Sequence, residues 1–77
     1  MDRKMPMFRF VLQEGAEVRD TAHLRLSDDG AAREVAERMA IAVSRRRPRP
    51  CERAVVVSDD HLRPLATVAV PAGRAAR

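Results

Sequence analysis

Two segments that alternate and double back on themselves flank one capped helix, and few small folds accept that order. In Met7-Phe-Arg-Phe-Val-Leu12, the side chains of Phe8, Phe10 and Leu12 alternate with those of Met7, Arg9 and Val11. A period of two carried by bulky residues is the pattern of a half-buried strand. A turn at Gln13-Glu-Gly15-Ala16 follows, where Gly15 tolerates the positive φ of a tight reversal. The return strand, about Glu17 to Arg19, is short and polar with Val18 as its one apolar anchor. That composition suits a sheet edge, where charges discourage pairing with other chains. Leu24 and Leu26, in the link that starts at Asp20, either continue the strand or pack under the helix start.

Ser27-Asp28-Asp29 marks the helix N-terminus, since such side chains accept the free amides of the first turn and favour the positive end of the dipole. From about Asp28 to Arg46, Ala32, Val35, Ala36, Met39 and Val43 recur at spacings of three and four, giving one apolar stripe. Glu34 and Arg38 lie on the solvent side as a favourable pair one turn apart. Pro48 stops the helix, because proline lacks the amide and clashes with the preceding turn.

The second hairpin runs Ala54-Val-Val-Val57, turns at Ser58-Asp-Asp-His61, and returns through Leu65-Ala-Thr-Val-Ala-Val70. Val55 and Val57 face the helix, as do Ala66, Val68 and Val70, while Ala54, Val56, Leu65, Thr67 and Ala69 face away. Pro64 belongs at a strand start or an edge. The fold class is α+β: ββαββ, a four-stranded sheet with one helix on one face. A right-handed crossover through the helix suggests the strand order 2-1-4-3, with the polar second strand and the Arg-flanked third at the edges.

One helix covers one face, so Met7, Arg9, Val11, Val56, Leu65 and Thr67 are left on the other. That set is apolar for a surface meant to meet water, and such patches mark contacts. Size supports the same conclusion. A core in a chain of 77 residues rarely supplies more than ~3–5 kcal/mol of net stability. One cysteine makes no internal disulfide, and no Cys and His cluster has zinc-site spacing. Association with a second copy or a protein partner is the staple left over.

Residues 1–5 read as a disordered lead, with Met5 an alternative start to Met1; 6–71 form the single ββαββ domain, and 72–77 a flexible tail. No apolar run exceeds five residues, Met39 to Val43, so nothing spans a bilayer, and no apolar stretch follows the charged N-terminus as in a secretory signal. A cytoplasmic location is the expectation.

The string Met5-Pro-Met-Phe-Arg-Phe10 with Glu14-Gly15 after it, Arg19-Asp20, Leu26-x-Asp28-x-x-Ala31-Ala-Arg33, Val57-Ser-Asp59 and Arg63-Pro64 together resemble a family of short bacterial proteins known as the domain of unknown function DUF6894. The likeness spans about residues 5 to 71. It implies a compact ββαββ domain and brings no activity with it. The resemblance also implies a first-strand His near Val11, and glycines at the places of His23 and Leu62, where this chain departs. No role for that His carries over, and the turns are built differently.

Fifteen basic against eleven acidic residues give a net charge of +4, and the basic residues concentrate in Arg45-Arg46-Arg47-Pro48-Arg49 with Arg53 close behind. Arginine pairs bidentately with phosphate, so Arg45, Arg46, Arg47, Arg49 and Arg53 are candidate phosphate contacts of a weak nucleic-acid binder. The plainer reading is a cationic helix end in a solvated loop. Neither phenylalanine is free to stack on bases, and no recognition motif occurs. Cys51 between Arg49 and Arg53 has cations to activate its thiol, but no converging His and carboxylate are apparent. His23 and His61 fall in turns, and Asp28-Asp29 and Asp59-Asp60 serve as cap and turn. The expectation is therefore no enzyme, no catalytic residue, no metal, no cofactor and no evident small-molecule substrate, in a small protein-interaction domain.

Overall fold

A computed structural model describes residues 5–46 and 52–71. The disordered lead and flexible tail expected from sequence lie outside the described residues, apart from Met5. So do Arg47, Pro48, Arg49 and Cys51. Strand β1 spans Met7–Glu14, β2 Glu17–Arg25, the helix α1 Asp29–Arg46, β3 Arg53–Ser58 and β4 Pro64–Ala69. The class is the α+β, ββαββ arrangement read from the alternation.

The sheet order is β2-β1-β3-β4, with every neighbouring pair antiparallel. This corrects the expected 2-1-4-3 order. The third strand is central, since Ala54 to Val57 is apolar at every position and both its edges need a partner. The outer place goes to β4, whose first residue, Pro64, has no amide to give to a ladder. Strand β2 is also longer than its short polar start suggests. Cross-strand bonds to β1 run from Glu14↔Glu17 to Met7↔Arg25, with a bulge near Leu12.

At the hairpin tip Gly15 has φ 60, and its amide donates to the Glu52 carbonyl at 2.9 Å. That bond ties the β1–β2 turn to the entry of β3. Helix α1 starts at its cap: Asp28 Oδ1 accepts from the Ala31 amide at 2.8 Å. Ala32, Ala36, Ala40 and Ser44 form the most buried line of the helix. Side chains this small let the helix backbone approach the sheet closely. The Ser44 hydroxyl is satisfied by donating to the Ile41 carbonyl at 2.9 Å.

Against this line pack Phe8, Phe10, Val55, Val57 and Val70. The helix lies over β3 and β4 rather than centrally over the sheet. Its flank residues Met39 and Val43 are therefore only half-buried, overlooking the β1–β2 hairpin.

Candidate functional site

The uncovered side of the sheet is built by register. Val11 lies opposite Val56, and Val56 opposite Thr67. One row along, Gln13, Ala54 and Ala69 align in the same way, with Val18 beyond Gln13 on the other edge. Arg9 faces His23 across the first pair, and Met7 faces Arg25. The two arginines and one histidine meet no carboxylate among the strand residues that share this face. Met7, Arg9, Val11 and Val56 are half-buried, and Thr67 is exposed. The face is a small apolar strip along the central strands with a cationic border toward β2.

Leu65 does not belong there. A bulge between Val57 and Ser58 pairs Val57 with Ala66 and Ser58 with Pro64, leaving Leu65 as the extra residue. An extra residue breaks the alternation. Leu65 instead packs against the core and lines a groove with Asp29, Gly30 and Arg33 at the helix start. Val18, 58% exposed, takes its place on the open face by register. Its position past the bulge in β2 hid this from a reading of alternation alone.

The basic cluster is divided by the fold. Arg45 and Arg46 are exposed in the last turn of α1, whereas Arg53 is 6% exposed at the start of β3. Arg53 is in phase with Val55 and Val57, which is why its side chain goes under the helix rather than into solvent. It is not a solvent-facing phosphate contact. Arg46 and Arg53 do share one groove, together with Glu14 and Asp20.

The carboxylates singled out by sequence have local partners. Asp28 caps the helix. Asp59 Oδ1 accepts from the His61 amide at 2.9 Å and the Arg63 amide at 2.8 Å. The Arg63 amide is the main reason its carboxyl sits below the usual carboxylate range, with partial burial opposing and the His61 amide helping. His23 stands on β2 and His61 in the β3–β4 loop, so they do not converge. Among the described residues no three His, Cys, Asp or Glu side chains gather to hold a metal ion. No described helix is long and apolar enough to cross a membrane.

The family model described as Domain of unknown function (DUF6894) matches residues 7–71. The chain belongs to this family. The match begins at the first residue of β1 and ends just past β4, so the DUF6894 unit here is the whole ββαββ sheet with its helix. No curated protein and no solved structure matches the chain. One departure noted from sequence has a conformational consequence in this DUF6894 domain. Leu62, at a place where the resemblance implies glycine, adopts φ 63.

Proposed function

We propose that this DUF6894 domain is a non-enzymatic protein-interaction module, and that its open sheet face binds a partner whose apolar patch has an acidic border. The observation that carries this reading is the Val11–Val56 row with Met7 beside it, bordered by Arg9, Arg25 and His23 and, among the described strand residues, by no carboxylate on the same face. A second copy of the same face would set arginine against arginine, and like charges facing each other disfavour association. An acidic border relieves that.

Size sets the expected strength. Strands ~4.8 Å apart with a rise of ~3.3 Å per residue give four strands a flat area of about 400 Å². Stable complexes use ~800 Å² per partner. A transient, micromolar association is the expectation.

Two measurements test it. Sedimentation should show a monomer at tens of micromolar. Crosslinking from cell extract should recover a protein that is lost with Val11→Glu/Val56→Glu and kept with Arg45→Glu/Arg46→Glu. A dimer dispersed by the Val11/Val56 pair would replace the acidic partner with a second copy. Recovery of nucleic acid, lost with Arg45 and Arg46 and released steeply by salt, would sink the reading in favour of a phosphate binder.

A further inference from the structure

The other side of the sheet holds a second, unrelated opportunity. Because α1 sits over β3 and β4, a trough of about 220 Å³ remains between the helix flank and the β1–β2 hairpin, lined by Phe10, Leu12, Ala22, Met39 and Val43. It runs into a groove of about 380 Å³ that shares Leu12, Asp20, Val43 and Arg46 and adds Glu14 and Arg53. The apolar end and the charged end, with two arginines and two carboxylates, are thus continuous.

At the charged end Arg53 is unusual. Its Nη2 is buried and has no hydrogen-bond partner among the described residues. A buried donor left without an acceptor is costly, and an anionic oxygen is the relief that chemistry offers. Glu14 stands opposite Arg53 in register, yet its Oε1 lies 3.3 Å from Arg19 Nε on the neighbouring strand. Asp20 is exposed, and its Oδ1 accepts from the Thr21 amide at 2.9 Å.

We propose that this groove binds a small organic acid, with its apolar body on Leu12, Ala22, Met39 and Val43 and its carboxylate on Arg53 and Arg46. The shape of the site selects the class. A carboxylate matches one guanidinium fork with two parallel hydrogen bonds. A phosphate dianion fits worse, since Glu14 and Asp20 line the same end. The trough supplies a surface that no inorganic ion uses, and sites of this kind combine apolar walls with a few placed polar groups. This site faces the helix, so it is independent of the open sheet face, and the Val11/Val56 variants leave it intact.

The test is a titration of the full chain, followed by amide shifts in ¹H–¹⁵N spectra, with hexanoate, hexan-1-ol and inorganic phosphate. Hexanoate should give saturable shifts at Leu12, Ala22, Val43 and Arg53, at millimolar concentrations suited to so few atoms. Hexan-1-ol should bind roughly tenfold more weakly, the discrimination expected of a charge-assisted hydrogen bond. Phosphate should give no saturable shift at those residues. Arg46→Gln, at an exposed position, should weaken hexanoate roughly fivefold. Ala42→Phe, at the lip of the trough, should block it. Arg53→Gln should abolish binding, and where that variant fails to fold, Arg46→Gln and the acid–alcohol comparison decide. Equal binding of acid and alcohol would overturn the proposal. So would equal binding of phosphate, no saturable shift, or indifference to Ala42→Phe.

Discussion

Leu62 holds a backbone conformation that its side chain opposes. At φ 63 the Cβ of an L-residue crowds the following carbonyl, at ~1–2 kcal/mol. The loop enforces it: the Leu62 amide donates to the Asp59 carbonyl at 2.9 Å, and the Asp59 amide donates to the Arg63 carbonyl at 3.1 Å. Glycine removes the strain but adds unfolded-state freedom worth ~0.5–1 kcal/mol. Leu62→Gly should therefore stabilise the domain by about 0.5 kcal/mol net, read as a higher urea midpoint with an unchanged slope. A lower midpoint would mean that the exposed Leu62 side chain makes a stabilising contact. In the same loop, the Arg63 amide holds the Asp59 carboxyl below the usual carboxylate range, so its ionised form favours the native state. That contribution is complete above the unfolded value and fades as pH falls through the lower native one. Asp59→Asn keeps an acceptor for the His61 and Arg63 amides but has no charge to lose. Urea midpoints between pH 6 and pH 3 should fall less steeply for Asp59→Asn than for the parent chain, and parallel curves would refute this.

At the scale of elements, the helix depends on its cap. Asp28 is the only described side chain seen to accept from the first turn, through the Ala31 amide. Asp28→Ala should cost about 1 kcal/mol, which lowers the melting temperature of so small a domain by about 5 °C; Asp28→Ser should recover most of it. The same cap was legible from Ser27-Asp28-Asp29, because N-cap chemistry is local. Strand β2 was legible only in part. Its exposed, charged residues Glu17, Arg19, Asp20 and Arg25 carry little apolar signal, and its length comes from bonds to β1. The order of β3 and β4 was obscured by Arg53, whose charge suggests an edge. Its phase with Val55 and Val57 places it beneath the helix instead. Leu65 was misplaced because a bulge exists only once two strands are paired.

Across the whole molecule, the core is thin on one side. The alanine line brings α1 close over β3 and β4, while β2 is exposed at every position except Ala22. The open face was legible from the rule that one helix shields one face. The groove on the helix side was not, because it arises from where the helix sits along the sheet width. Phe10 is the residue that joins the two halves. It pairs with Ala22 of β2 and Val57 of β3, is almost fully buried, and floors the trough beside Met39. Phe10→Ala leaves a cavity costing ~3–5 kcal/mol, against a net stability of ~3–5 kcal/mol for a core this small. The variant should lose its cooperative melt and its dispersed amide spectrum at 25 °C, whereas Phe10→Leu, which keeps most of the volume, should retain both. If Phe10→Ala still melts cooperatively within a few degrees of the parent, the hairpin is held by something other than this contact. The edge bonds to β1 and the Gly15–Glu52 tie would then be the place to look.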